Sequence, residues 1–239
     1  MTLAVKPNLI KVATLAAGGL GLTLRSILFA TGLDHKDLLV TGHWAGTAVW
    51  LLTAAVIGLI FFTTKMCAGP ESFDEAFPAS SFRASGALVA ACGFLLTSIP
   101  ATGMFALAEP VLRILAAAAL AVVAFCRFRG KQPSLLLHSA VCLYLALRMI
   151  CLYQFWSADP QLQYYAFYLG AHVALMLFAY QLAAFDANSG NHRSLWGWGL
   201  GAMYLCLTAI PACQDAFFLI CCAFWMLSSL TPVSTREGE

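Results

Sequence analysis

Two arginines stand inside long apolar stretches of this chain, one at Leu22-Thr23-Leu24-Arg25-Ser26-Ile27 and one at Leu145-Ala146-Leu147-Arg148-Met149-Ile150. A charge near the centre of a bilayer costs about 2.5–3.5 kcal/mol on insertion scales, so such residues face a bundle interior and find partners there. A guanidinium offers forked donors that suit carboxylate and phosphate oxygens, often two at a time. Glu109 and Arg113 lie i, i+4 in a third apolar stretch and share one helix face, which predicts an intrahelical ion pair. Arg25 and Arg148 then remain as an excess of two positive charges. The chemistry this implies is a polar pocket that binds an anionic solute or a lipid headgroup. The competing expectation is structural: each arginine bonds backbone carbonyls or an outer aspartate (Asp34, Asp37, Asp159 or Asp215) and holds the bundle together, or snorkels to the interface.

Two histidines also fall in apolar runs. His172 and His138 suit either a proton relay or a hydrogen-bonded packing role, and packing is the commoner. His35 and His43 flank a loop with Asp34 and Asp37, but the spacing is not that of a metal site and a solvated loop is expected. Tyr153, Gln154, Tyr164, Tyr165 and Tyr168 cluster with Trp44 and Trp156 at one boundary, as an aromatic belt or a pocket mouth, while Trp196 and Trp198 suit the opposite belt. The chain has no G-x-S-x-G, H-E-x-x-H or phosphate-loop motif, and no carboxylates paired at catalytic spacing. No catalytic residue, metal or cofactor is therefore assigned. The candidate binding residues are Arg25, Arg148, Arg113, Glu109 and His172.

The elements that must position them are membrane spans. The 239 residues are 61% hydrophobic and 10% charged, with mean hydropathy +0.82, far from the roughly 25% charged residues of soluble domains. A formal net charge of +2 gives no reason to expect nucleic acid. None of the nine cysteines forms a C-x-x-C pair, and most sit in apolar runs, as packing residues do. A crossing needs about 20 apolar residues. Eight stretches qualify, at about 8–31, 43–65, 82–99, 104–128, 133–156, 161–185, 195–210 and 215–230, with Pro100 and Pro211 closing the third and seventh. A cleaved secretory signal at the start is the alternative for the first, but Arg25 and the length of the run speak for an uncleaved span. Nine of the thirteen Lys and Arg residues fall on one side, only Lys36 falls on the other, and Arg25, Arg113 and Arg148 lie within spans. By the positive-inside rule both termini are cytoplasmic, as an even number of spans requires. Counted from the helix ends, Arg25, Arg148, Glu109 and Arg113 sit roughly 8–13 Å below the outer boundary.

The chain also repeats itself. Shifted by 123 positions, Ala17, Leu22, Leu24, Arg25 and Ile27 meet Ala140, Leu145, Leu147, Arg148 and Ile150. Shifted by 111, Leu96-Thr97-Ser98-Ile99-Pro100-Ala101 meets Leu207-Thr208-Ala209-Ile210-Pro211-Ala212. The expected fold is thus an all-α polytopic membrane protein of eight transmembrane helices in a tandem 4+4 parallel repeat, with halves 1–129 and 130–239. Three functions suit it. The first is a small transporter or solute-binding protein in the cell membrane. The second is a non-transporting anchor or sensor that binds lipid or quinone and docks a cytoplasmic partner of unspecified identity through Arg127, Arg129 and Lys131. The third is an intramembrane enzyme acting on lipid, with Glu109 or His172 as acid or base.

Overall fold

The computed structural model describes residues 7–33, 39–40, 42–66, 73–97, 99, 105–156, 165–213 and 215–230. Among these the regular structure is helical throughout, apart from one isolated bridge between Leu33 and Leu39. The helices are α1 (Pro7–Thr31), α2 (Trp44–Met66), the single turn α3 (Phe73–Ala76), α4 (Ser81–Leu96), α5 (Phe105–Arg129), α6 (Leu135–Trp156), α7 (Ala166–Asp186), α8 (His192–Ala209) and α9 (Ala216–Ser229). Each of the eight apolar stretches of the sequence holds one long helix. Five of these, α1, α2, α5, α6 and α7, are long and apolar enough to cross a membrane, and α4 and α9 are shorter apolar helices. The 18-residue α8 opens on His192 and Arg193 and carries Gly197, Gly199 and Gly201, which dilute its apolar character.

Local chemistry sets the ends. Ser80 caps α4 by accepting from the Arg83 N–H at 3.4 Å. Asn191 caps α8 by accepting from the N–H groups of Arg193 and Ser194. Gly130, at φ +66°, takes the left-handed turn that ends α5, and Lys131 N–H returns to the Cys126 carbonyl at 2.9 Å. Pro211 stops α8 in a 3₁₀ turn, Ile210–Ala212.

Packing runs from α4 to α5, α6, α7, α8 and α9, and α9 returns to α4, so six helices form a closed circuit. α1 and α2 pack on each other and lie against the outside of α8. The helices of 1–129 and of 130–239 therefore interleave, α4 with α9 and α1 with α8. Small residues permit both seams. A side chain at Gly18 would meet Leu207 Cδ1 at 2.7 Å, and one at Gly21 would overlap Thr208. Gly18 and Gly21 thus serve close approach of α1 to α8, whereas Gly19 faces open space. Likewise Gly86 lies against Ser228, and a Cβ on Gly93 would stand 2.7 Å from Cys221 Cβ, which brings α4 onto α9. Outward faces are apolar: Trp50, Leu51, Phe61 and Phe62 on α2, Leu107, Val111 and Ile114 on α5, and Leu136 and Leu143 on α6 are all exposed. An apolar exterior around a bundle this rich in hydrophobic residues is what lipid solvates and water does not.

Candidate functional site

Inside this circuit Arg148 is one of the largest fully buried side chains, with 0% exposure. It lies eight residues from the end of α6, roughly 12 Å below it. Four of its five N–H groups find acceptors. Nε donates to His172 Nε2 at 3.0 Å and Nη1 to the Tyr144 hydroxyl at 3.2 Å. Nη2 donates to the Tyr168 hydroxyl at 3.1 Å and to Asp215 Oδ2 at 2.6 Å. The guanidinium also lies 4.5 Å over the Phe218 ring. Helical spacing supplies much of this: Tyr144 and Arg148 are i, i+4 on α6, and Tyr168 and His172 are i, i+4 on α7.

Asp215 is the carboxylate that the arginine requires. It precedes α9, just after the 3₁₀ turn, and its side chain is 17% exposed. It accepts from Arg148, from the Tyr168 hydroxyl at 3.0 Å and, on Oδ1, from the Thr97 hydroxyl at 3.0 Å. Thr97 ends α4, so Asp215 ties α4, α6, α7 and α9 together. His172 is fixed as a neutral ring. Its Nδ1–H donates to the Tyr168 carbonyl at 2.9 Å, and its Nε2 must accept from Arg148.

Glu109 joins the same network. The Tyr144 hydroxyl donates to Glu109 Oε1 at 3.3 Å, and Arg113 Nε lies 3.7 Å from that oxygen, in the i, i+4 pair expected from the sequence. Arg113 also donates through Nη1 to the Thr97 carbonyl. Glu109, Arg113, Arg148 and His172 are thus one connected cluster. Arg25 stands beside it. Its Nη1 donates to the Thr208 carbonyl at 3.2 Å, and its guanidinium lies 4.8 Å from the Phe167 ring and 5.2 Å from Phe29. Phe167 adjoins Tyr168, so the two arginines contact neighbouring residues at the start of α7. Among the described residues the connected cluster holds two guanidinium groups, of Arg113 and Arg148, and two carboxylates, of Glu109 and Asp215.

The opposite end of the bundle carries a second buried cluster that sequence reasoning missed. Arg127, at the end of α5, is not part of a solvated basic patch with Arg129 and Lys131: it is 4% exposed. The loop before α4 folds back under it, so Phe73 and Phe77 cover the guanidinium at 4.6 and 3.8 Å from their ring centres. Arg127 Nη2 lies 3.6 Å from Asp186 Oδ1, and His138 Nδ1 bonds Asp186 Oδ2. Gln132 Nε2 donates to the Asp186 carbonyl at 2.6 Å. Trp196, expected in an aromatic belt, is likewise buried, beside His192, whereas Trp44 and Trp198 are exposed as expected.

Comparison with protein-family models, curated proteins and solved structures found no match to this chain.

The remaining candidates sort simply. His43 opens α2, its Nδ1 accepting from the Ala45 N–H at 3.3 Å. Asp34, His35, Asp37, Asp159 and Tyr164 lie outside the described residues. Among the described residues no three His, Cys, Asp or Glu side chains are grouped as a metal site would need. Tyr153 is exposed, while Tyr168 belongs to the Arg148 cluster rather than to a belt. The signal that would have found Tyr144 and Tyr168 was their i, i+4 spacing to Arg148 and His172.

Proposed function

We propose that this chain is a multi-pass cell-membrane protein that binds and carries a small anionic solute at the Arg148 cluster. In this reading all eight long helices span the bilayer, the two sequence halves are a tandem four-helix repeat, and both termini are cytoplasmic. Arg148 and Arg113 hold the anion, Arg25 adds its field from beside Phe167 at the start of α7, and Glu109 and His172 keep the guanidiniums aligned. One observation carries the proposal. A carboxylate, that of Asp215, already accepts from Nη2 of the buried Arg148, on a side chain that is itself partly exposed. A solute carboxylate or phosphate could take the same donors when Asp215 swings away, and would find the same hydroxyl partners. The lipid bilayer and the anion, whether free solute or headgroup, are the partners this implies.

The test is uptake of a panel of small carboxylates and phosphate into proteoliposomes. Uptake should occur with the wild type and be abolished by Arg148→Gln and strongly reduced by Arg25→Gln. Uptake that is the same in a double Arg25→Ala, Arg148→Ala protein would end the proposal. A lipid-directed enzyme is favoured by one specific feature, the hydrogen-bonded path from Glu109 through Tyr144 and Arg148 to His172. Product analysis of the lipids in the same vesicles separates the two.

A further inference from the structure

Asp215 stands where an aspartate ordinarily caps a helix, and it does not cap. It is the residue just before α9, yet its side chain makes no bond to the N–H groups of that helix. An aspartate at this position commonly accepts from the second or third N–H of the helix, with the helix dipole in its favour. Here the carboxylate reaches instead to Thr97 of α4, Arg148 of α6 and Tyr168 of α7. Two places thus compete for one carboxylate: the Arg148 cluster, where it lies, and the start of α9, which it leaves without a side-chain cap.

The place it would vacate has a defined chemistry. Among the described residues three groups donate to Asp215: Arg148 Nη2 at 2.6 Å and the Tyr168 hydroxyl at 3.0 Å, both on Oδ2, and the Thr97 hydroxyl at 3.0 Å on Oδ1. Two donors on one oxygen and one on the other suit a carboxylate. The donors are themselves held. Arg148 is aligned by giving Nε to His172 and Nη1 to Tyr144, and Thr97 by the bond that its carbonyl accepts from Arg113. Charge points the same way. Arg113 is balanced by Glu109 on its own helix, so Arg148 is left as an unbalanced cation once Asp215 withdraws. One negative charge and two oxygens match this site. Phosphate or sulfate would bring further oxygens to three donor groups already matched, and a buried acceptor without a donor is costly. The Asp215 side chain is 17% exposed, so the site has an edge that an arriving anion can reach.

We infer that the solute of the Arg148 cluster is a monocarboxylate, which takes the place of the Asp215 carboxylate on Arg148, Tyr168 and Thr97 while Asp215 turns to cap α9. That the solute is carried rests on the transport reading above, whereas the carboxylate site is tested apart from it. The experiment follows the carbon-13 linewidth of carboxyl-labelled acetate added to the full chain in lipid nanodiscs at fixed ionic strength. A tethered carboxylate competes at an effective concentration of about millimolar or more, so Asp215→Ala should bind acetate at least about tenfold more tightly than the wild type. Adding Thr97→Val to that variant should weaken acetate about tenfold, and adding Arg148→Gln should abolish its binding. Formate and propionate should displace the label, and an excess of phosphate or sulfate should not. Asp215→Ser, whose shorter side chain can cap α9, should bind acetate as Asp215→Ala does and decides the matter should the alanine variant not fold. Displacement by phosphate as readily as by formate overturns the inference. So do equal affinities in the wild type and a folded Asp215 variant, or binding indifferent to Thr97→Val. Octanoate against propionate tells whether the carboxylate is that of a fatty acid or of a small acid, and the monocarboxylate stands in both cases. Wild-type proteoliposomes that take up phosphate and no carboxylate would end this inference and spare the transport reading. A site that passes these tests in a protein that carries no anion would do the reverse.

Discussion

Replacing Asp215 by Asn removes the one carboxylate bonded to Arg148 and leaves the rest of the site in place. The amide oxygen can still accept from one of the two hydroxyls, Tyr168 on Oδ2 or Thr97 on Oδ1, which contact Asp215 at 3.0 Å each. What is lost is the ionic part of a 2.6 Å contact to a cation with no exposure to solvent. Breaking a buried pair by deleting one partner costs about 3–5 kcal/mol. The Asp215 side chain is 17% exposed, so water screens part of the field, and the low end of that range, about 3 kcal/mol, is expected. For a chain of this length that corresponds to a fall in melting temperature of roughly 6–12 °C. Arg148→Met should cost a similar amount, because it strands Asp215 and the hydroxyls of Tyr144 and Tyr168. The double variant removes both charges and fills the space with an apolar side chain, so it should lie within about 1 kcal/mol of the wild type. Thermal unfolding of the four proteins in one detergent completes the cycle, and a coupling of at least about 2 kcal/mol is expected. Additive losses, or an Asp215→Asn shift below about 2 °C, would refute the claim that this pair is the electrostatic centre of the bundle. Asp215→Ala adds a further readout: it opens space beside Arg148, so formate or acetate should raise its melting temperature and leave that of Asp215→Asn unchanged.

Tyr144→Phe should cost about 1–2 kcal/mol in the same unfolding assay, since it leaves Arg148 Nη1 and a Glu109 oxygen short of a partner in a buried site. Gly86→Leu should lower stability by at least about 1–3 kcal/mol, because the new side chain meets Ser228 and the backbone of Trp225 across the α4–α9 seam, whereas Gly19→Leu, with open space around it, should be near neutral. In a background without native cysteines, a cysteine at position 113, where the arginine side chain is 20% exposed, should react with an impermeant maleimide in intact cells before one at position 148 does.

The helices were legible because apolar runs bounded by proline, glycine and capping residues leave little choice: a polar turn must separate two stretches that each satisfy their own backbone. The partners within the site were legible only where they share a helix, as in Glu109–Arg113. Asp215 was read as a residue near loop level, and it does lie between the 3₁₀ turn and α9, yet its side chain reaches back to α6 and α7. Nothing in a periodicity argument predicts the direction in which a loop residue points. Arg127 failed for a related reason. A basic residue at the end of an apolar helix ordinarily marks the lipid headgroups. Here the segment 73–80 before α4 lays two phenylalanines on it, and Phe77 also meets Phe185 edge to face at 5.4 Å.

The two arginines that looked equivalent in the sequence have different partners, and two similar helix ends account for it. Thr97 and Thr208 occupy the same place in Leu-Thr-x-Ile-Pro, at the ends of α4 and α8, where the last carbonyls have no partner within the helix. Each carbonyl accepts from an arginine: Thr97 from Arg113 of α5, Thr208 from Arg25 of α1. A cation at a helix C-terminus also meets the favourable end of the dipole. Arg25 is therefore the counterpart of Arg113 in what it does, while Arg148 reaches Thr97 only through Asp215. Arg25→Gln should then cost about 1.5–3 kcal/mol, the worth of a hydrogen bond to a charged group, and no carboxylate substitution among Glu109 and Asp215 should couple to it strongly. Arg148→Gln should cost more and couple to Asp215. If the two variants lose the same stability and both couple to Asp215→Asn, the arginines share one site after all, and the assignment of Arg25 to the end of α8 is wrong.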